Sequence, residues 1–365
     1  ILFYFFWETM LLPIFLIIGI YGTGNKVFST IKVTVYTMAG SLLMFVAIVY
    51  LGVSFFNEYG HWSFQYDDLT TLSGLGANEK LYLFFAFFIA FMIKIPIFPF
   101  HTWITGTYSD APTGAVFLLS SIMAKLGVYA VVRFMIPIFP DTFVGFSEYF
   151  VFIGIFGLIY FGIAALMQND IKKMFAYSSA SHLSLIAAGI FSLNSYGING
   201  SLYLIIAHAI ATGGLFLLIG ILHYQTGFKT INDLGGIAKK APIFTFMFAI
   251  MLFSNIGLPG TNGFVSELLI IFGIYEFNHA MGYVSAVTVL VAASFMLWMF
   301  QRAILQERKG GALPMKDLKL KEIIALTPWV ILIFVMGIYP DPFIDKFEPT
   351  VTYYINNFLQ IGATK

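Results

Sequence analysis

The sequence predicts an all-α polytopic membrane protein with about ten transmembrane helices. Hydrophobic residues make up 59% of its 365 residues and charged residues only 10%, whereas a soluble domain carries roughly 25% charged residues. Long apolar runs recur along the whole chain, and a helix needs about 20 apolar residues to cross a bilayer. So few charges cannot build a water-facing surface, which excludes an ordinary soluble domain and disfavours a disordered or nucleic-acid-binding chain.

Ten apolar runs are long enough to span a membrane. They cover residues 2–21, 32–53, 81–106, 111–136, 147–168, 171–192, 201–224, 242–275, 281–303 and 321–339. Most connections between them are short and polar, and the longest covers residues 54–80. No segment has the composition of a soluble domain or of a low-complexity linker.

The basic residues of the connections are distributed unevenly between the two sides of the membrane. When the connections are assigned alternately, thirteen lysines and arginines fall on one side, here called side one, and four on side two. Side one carries Lys26, Lys32, Lys172, Lys173, Lys229, Lys239, Lys240, Arg302, Arg308, Lys309, Lys316, Lys319 and Lys321, and side two carries Lys80, Arg133, Lys346 and Lys365. Because cytoplasmic loops carry the excess of Lys and Arg, we expect side one to be cytoplasmic and the C-terminus to be external.

Four charged residues fall well inside the apolar runs, away from their ends, namely Glu8, Lys94, Lys125 and Glu267. A charge at the bilayer centre costs about 2.5–3.5 kcal/mol on insertion scales, so such residues are functional candidates by default. Structural roles remain open at this point. Glu8 and Lys94 could form a static ion pair, Lys125 could extend to the membrane surface, and Glu267 could cap free backbone N–H groups.

Two of the ten runs are predicted to be interrupted. In the third run Pro96 and Pro99 follow Lys94, and each proline removes an N–H and clashes with the carbonyl four residues earlier. The eighth run would make a helix of about 51 Å, too long for a hydrocarbon core of about 30 Å, and it contains the glycine-rich segment 257–263. Interrupted helices line ion sites in many transporters.

The two interruptions lie five spans apart, which predicts two inverted five-helix repeats. An odd offset makes the two broken helices antiparallel, as an inverted repeat requires. Residues 147–303 would form a complete repeat and residues 1–136 the remaining four helices of the first. Residues 304–365 would comprise a cytoplasmic loop, the last transmembrane helix and an external tail. Since the chain begins within an apolar run, we expect earlier spans to be missing.

The sequence carries no signal for a bound cofactor or metal. It contains no cysteine, so a disulfide, a thiolate nucleophile, an iron–sulfur cluster and a cysteine-ligated zinc are excluded. No phosphate-binding loop or dinucleotide fingerprint follows a strand, and no helix pairs two histidines with a carboxylate at metal spacing. Any redox chemistry therefore belongs to a partner.

Several motifs resemble the antiporter-like membrane subunits of respiratory complex I. They are FYFFWETMLLP from Phe3, KIPIFPFHTW from Lys94, DAPTGAV from Asp110, SSIMAKLGVYAVVRF from Ser120, FAYSSASHLSLIAAGIF from Phe175, IAHAIATGGLFLLIG from Ile206 and GLPGTNGFVSELLIIFG from Gly257. Glu267 and the PFHTW motif make chain M of the bacterial enzyme the nearest subfamily. The resemblance implies an antiporter-like fold of fourteen helices, of which this chain matches the last ten, so that it is truncated at its N-terminus.

The resemblance implies proton translocation as a subunit of a proton-translocating NADH–quinone oxidoreductase. It further implies that Glu8 pairs with Lys94 and that the proton path continues across the membrane interior. The implied path consists of Glu8, Lys94, Lys125, His182, His208 and Glu267. NADH, FMN, iron–sulfur clusters and quinone are expected in partner subunits, with none bound by this chain. The expected partners are other membrane subunits of complex I and the lipid bilayer, with no nucleic acid, in the bacterial inner membrane.

Two other functions remain open from the sequence. The first is a subunit of an Mrp-type Na⁺/H⁺ antiporter, which a lysine in place of Glu267 would favour. The second is a membrane scaffold without a translocation path, in which His182 and His208 are hydrogen-bonded contacts between helices. The scaffold predicts that neutralising the buried charges impairs assembly and leaves proton pumping intact.

Overall fold

The computed structural model describes residues 1–308 and 313–359, and this part of the chain is almost entirely helical. Lys309 and Lys365, which entered the charge count above, lie outside the described residues. Eight helices in the described part are long and apolar enough to cross a membrane. Two further apolar segments consist of interrupted helices, and the predicted fold class, an all-helical membrane protein, is confirmed.

We number twelve helices along the chain, counting the two halves of each interrupted span separately. They are α1 (Leu2–Tyr21), α2 (Lys26–Tyr59), α3 (Ala77–Lys94), α4 (Thr102–Asp110), α5 (Thr113–Ile138), α6 (Ser147–Leu166), α7 (Ile171–Phe191), α8 (Ser195–Thr226), α9 (Pro242–Asn255), α10 (Asn262–Phe277), α11 (His279–Leu305) and α12 (Leu320–Ile338). Short helices at Tyr66–Thr70, Pro140–Gly145, Ile237–Lys240, Asp341–Ile344 and Glu348–Tyr354 connect or follow them.

Several helices extend beyond the apolar runs that predicted them. The second run, 32–53, lies within α2, which has 34 residues, and the seventh, 201–224, lies within the 32-residue α8. Polar residues can continue a helix past the hydrocarbon core, because the helix satisfies its own backbone hydrogen bonds in water as well as in lipid. Hydropathy therefore located the spans but underestimated the length of these two helices.

The connections assigned to side one meet at one end of the bundle. The backbone N–H of Thr23 donates to the carbonyl of Asp110 at 2.7 Å. Lys229 joins this group, since its Nζ donates to Thr23 Oγ1 at 2.8 Å and its carbonyl accepts from Ile171 at 3.0 Å. These contacts place connections from both halves of the chain on the same face, as the alternation of the loops requires.

The first interrupted span breaks between α3 and α4, where the prolines were predicted to free backbone carbonyls. The N–H of Ile97 bonds to Met92 O at 3.1 Å rather than to the carbonyl four residues earlier. The freed carbonyl of Ile93 accepts a hydrogen bond from Trp103 Nε1 at 3.0 Å. A side chain of the second half-helix thus satisfies the backbone group that the break exposes.

The second interrupted span breaks between α9 and α10. Gly257 and Gly260 have φ angles of +67° and +93°, which glycine adopts without the penalty of a Cβ atom. Across the break, Ser254 Oγ donates to Asn262 Oδ1 at 2.6 Å. The two half-helices are therefore joined by a buried side-chain hydrogen bond.

Close contact between α6 and α7 depends on glycines of α6. A Cβ atom at Gly154 would lie 2.8 Å from Ala188 Cβ and 2.9 Å from Ser184 O. Small residues let helix backbones approach in lipid, where no hydrophobic effect drives helices together. The α6–α7 contact holds α7, which carries His182, against the rest of the bundle.

We predict opposite effects of alanine at two glycines of α6. Gly154→Ala forces the two backbones apart and should destabilise the protein by about 1–3 kcal/mol, as overpacking does. Gly162→Ala introduces a Cβ with no neighbour within 4 Å and should stabilise the helix by about 0.5–1 kcal/mol. Thermal unfolding of the purified complex in detergent measures both changes, and equal shifts would contradict the proposed contact.

Candidate functional site

The six residues of the implied proton path lie on helices that converge inside the bundle. Five of them are buried, with 2–5% of their surface exposed, and only Glu8 is partly exposed. The buried five are Lys94, Lys125, His182, His208 and Glu267. The helices thus shield these groups from lipid, as intramembrane ionisable groups require.

Lys94 lies against Trp7 rather than against Glu8. Its Nζ is 4.8 Å from the centre of the Trp7 ring, in the geometry of a cation–π contact. Lys94 Nζ and Glu8 Oε1 are both buried and have no hydrogen-bond partner among the described residues. The expected contact pair is therefore corrected. Trp7, the residue before Glu8 on α1, makes the contact with Lys94 instead.

Lys125 lies between two π-helical turns of α5. These turns cover Leu119–Met123 and Val131–Met135, and such turns are frequent at functional sites because they displace a carbonyl from the regular ladder. Lys125 Nζ donates to one carbonyl of the first turn, that of Ser120. The π turn thus provides a hydrogen-bond acceptor for a buried ammonium group.

The helices that carry the two lysines pack closely at Gly127. A Cβ atom at this position would lie 3.1 Å from Lys94 Cβ and 3.1 Å from Phe91 O. Gly127 follows Lys125 by two residues on α5. The absence of a side chain at this position therefore lets the Lys125 segment approach the end of α3.

His208 connects the lysine region to His182. The two imidazole rings lie 5.1 Å apart, centre to centre, at an angle of 30°. Both ring nitrogens of His208 are buried without a hydrogen-bond partner in the described part of the chain. On the other side, α8, which carries His208, packs against the π turn Leu119–Met123 that precedes Lys125. His208 is therefore an unbonded acceptor between two potential proton donors.

His182 is surrounded by hydrogen-bond acceptors. Its Nδ1 lies 2.9 Å from Ser178 O and its Nε2 lies 2.9 Å from Asn255 O. Nε2 also lies 3.2 Å from Glu267 Oε1. A doubly protonated imidazole has a donor at each nitrogen, so this arrangement suits an imidazolium paired with the Glu267 carboxylate.

The second helix break positions the Glu267 carboxylate. A Cβ atom at Gly257 would lie 2.4 Å from Glu267 Oε2, so a side chain here would displace the carboxylate from its position beside His182. Asn255, the last residue of α9, supplies the carbonyl that His182 contacts. The break therefore contributes both an acceptor and space to the pair formed by His182 and Glu267.

Residues 1–295 match the family described as NADH:quinone oxidoreductase/Mrp antiporter, TM. The chain belongs to this family. It is 34% identical over 363 residues to NADH-quinone oxidoreductase subunit M of Rickettsia prowazekii, covering 98% of this chain and 72% of that protein. It is 32% identical over 365 residues to subunit M of Rhodobacter capsulatus, covering 98% of this chain and 71% of that protein.

Solved structures of the family share the fold. A chain of respiratory complex I from Thermus thermophilus with bound NADH has a TM-score of 0.90 and 30% identity, covering 97% of this chain and 74% of that one. A chain of the Mrp complex from Dietzia sp. DQ12-45-1b has a TM-score of 0.82 at 17% identity, covering 98% of this chain and 73% of that one. At that identity the Mrp likeness shows the fold alone. The family inferred from the motifs is confirmed.

Sequence reasoning missed several members of the site. No sequence signal indicates the π turns of α5 or the contact between Lys94 and Trp7. Asn255 could have been found, because it lies two residues before Gly257 and a break there frees the preceding carbonyls.

Within the described residues, no group of three or more His, Cys, Asp and Glu residues could hold a metal ion.

We predict that alanine at two glycines of the second break has different effects on function. Gly257→Ala and Gly260→Ala both place a Cβ at positive φ, which costs about 1–2 kcal/mol. Only the Cβ at Gly257 meets the Glu267 carboxylate, whereas nothing lies within 4 Å of that at Gly260. Proton translocation by the intact complex should therefore fall in Gly257→Ala and persist in Gly260→Ala. Equal activity of the two variants would argue against this role of Gly257.

Proposed function

We propose that this chain is the proton-translocating membrane subunit of an NADH–quinone oxidoreductase, with the redox centres in its partner subunits. The observation that carries the proposal is the series of buried ionisable groups from Lys94 to Glu267. Neighbouring groups in this series are linked by close helix packing or by direct contact. Membership of the family and the similarity to subunit M support the same function.

At the first end of the series, Lys94 would be controlled by Glu8. The Trp7 ring attracts the ammonium group of Lys94, and the nearby carboxylate of Glu8 supplies the opposite charge. A movement that separates Glu8 from Lys94 removes the stabilising anion, and a buried ammonium without a partner is costly. Lys94 then releases its proton to Lys125 through water, since a bridging water transmits a hydrogen bond between groups that do not touch.

In the middle of the series, His208 would transfer protons between Lys125 and His182. A neutral imidazole has one acceptor nitrogen and one donor nitrogen. His208 can therefore accept a proton at one nitrogen and release the other to His182 or to a bridging water. Because no protein group in the described part bonds to either nitrogen, both are available for this exchange.

At the second end, Glu267 would control the protonation of His182. While Glu267 is ionised, its carboxylate and the carbonyls of Ser178 and Asn255 stabilise the imidazolium. Protonation of Glu267 removes the negative charge, so His182 loses its ionic partner. Glu267 would thus control the protonation of His182 in the same way as Glu8 controls the protonation of Lys94.

The arrangement in the membrane is part of the proposal. Side one faces the cytoplasm and the C-terminus is external, in the inner membrane of a bacterium, because basic loops remain in the cytoplasm. Residues 1–136 and 147–303 belong to two inverted repeats, and residues 304–365 follow them. The other membrane subunits of the complex are the partners. NADH, FMN, iron–sulfur clusters and quinone are bound by partner subunits.

The alternatives have less support. The Mrp complex chain is similar at 17% identity, whereas the subunit M relatives reach 32–34%. Position 267 carries a glutamate, whereas a lysine at this position would favour the antiporter. A scaffold needs no cluster of unpartnered ionisable groups, because each buried polar atom without a partner destabilises the fold.

We predict that Lys94→Ala lowers the number of protons translocated per NADH oxidised, measured in inside-out vesicles that contain the intact complex. The variant removes the group that exchanges protons with Glu8 and Lys125. Lys80→Ala is the matched control, because Lys80 lies on the same helix and is partly exposed near its start. An unchanged proton-to-NADH ratio in Lys94→Ala, together with reduced assembly, would instead support the scaffold.

A further inference from the structure

Two buried hydroxyl groups lie outside the six-residue path. Tyr108 on α4 and Ser179 on α7 are both 0% exposed. Neither hydroxyl has a hydrogen-bond partner among the described residues. α4 packs against α7, and Phe216 contacts both the Tyr108 ring and Phe175, which lies one turn before Ser179 on α7. Buried polar atoms without partners are rare, and each one needs a physical explanation.

The backbone of Tyr108 lies close to side one of the membrane, beside carboxylates that water can reach. Tyr108 precedes Ser109, whose Oγ donates to Asp170 Oδ2 at 3.0 Å. Two residues after Tyr108, Asp110 accepts a hydrogen bond from Ser29 Oγ at 2.6 Å. Asp110 and Asp170 are both partly exposed. Proton-binding groups are therefore present at the surface end of α4.

The Tyr108 side chain leads from this surface into the membrane. Helical side chains tilt toward the helix N-terminus, and the N-terminus of α4 is its end at the first helix break. The ring packs against Phe216 of α8 at a centroid distance of 5.7 Å. The hydroxyl consequently lies deeper than the backbone of Tyr108 and next to α7.

Ser179 extends the route from the Tyr108 hydroxyl toward His182. The two residues are three positions apart on α7, which places them on the same helix face with their Cβ atoms about 5–6 Å apart. One bridging water spans such a gap. Tyr108, Ser179 and His182 therefore connect the surface carboxylates with the ionisable groups of the membrane interior.

We propose that Tyr108 and Ser179 form the route by which protons pass between side one and His182. Each hydroxyl accepts a proton on its oxygen and releases its own proton to the next group, so only O–H bonds form and break and neither residue keeps a charge. This inference rests on the proposed function, since it assigns the access route of the same site.

A purely structural role explains the tyrosine ring but not its hydroxyl. Tyr108→Phe keeps the contact with Phe216 and removes a buried polar atom that bonds to no protein group. Removing an unsatisfied buried group does not destabilise a fold. A packing role therefore predicts unchanged assembly and unchanged proton translocation, whereas the relay predicts unchanged assembly and lost translocation.

The test compares the proton-to-NADH ratio of four variants and one control variant in inside-out vesicles that contain the intact complex. Tyr108→Phe and Ser179→Ala should lower the ratio by the same amount as His182→Gln, and Ser179→Thr should restore it. Ser184→Ala is the matched control. Ser184 lies on the same helix and is 0% exposed, but its hydroxyl donates to Ala180 O at 2.9 Å, so its loss should leave the ratio unchanged.

The outcomes separate this inference from the function on which it rests. If His182→Gln lowers the ratio while Tyr108→Phe and Ser179→Ala keep the wild-type value, the hydroxyl route is overturned and the proposed function stands. If His182→Gln itself keeps the wild-type ratio, the proposed path fails and the route fails with it. Since the ratio is measured per NADH oxidised, a change in the amount of assembled complex does not alter it.

Discussion

The hydrocarbon core of the membrane gives neither charges nor free backbone groups a hydrogen-bond partner, and this constraint determines the structure. The chain nevertheless places Lys94, Lys125 and Glu267 inside its spans and interrupts two of its helices. Each of these features is stable only because other helices enclose it. The tight packing of the bundle and the chemistry of the site are therefore consequences of the same requirement.

The helix breaks contribute directly to the site. At the first break the indole of Trp103 satisfies a freed carbonyl one residue before Lys94. At the second, the carbonyl of Asn255 contacts His182, and Gly257 leaves room for the carboxylate of Glu267. A continuous helix would use those carbonyls for its own ladder. Both interruptions thus free backbone carbonyls close to ionisable side chains, and at the second break the freed carbonyl contacts the side chain directly.

Local features of the sequence were sufficient to predict the ten spans, their two breaks and the buried charges. Hydropathy, proline and glycine act over a few residues, and the charges stand out against an apolar background. The contact of Lys94 with Trp7 in place of Glu8 could not be predicted, because it depends on the rotation of α1 against α3. The π turns of α5 and the close approach of the His182 and His208 rings likewise depend on how the helices pack.

The central claim is that the buried groups act in series as one proton path. It is tested most directly by the proton-to-NADH ratio of the intact complex carrying Lys94→Ala, Glu267→Gln or both changes. Groups that act as a unit give non-additive effects, so the double variant should show the same loss as each single variant. Losses that add in the double variant would mean that the two residues belong to separate paths, and would contradict the account.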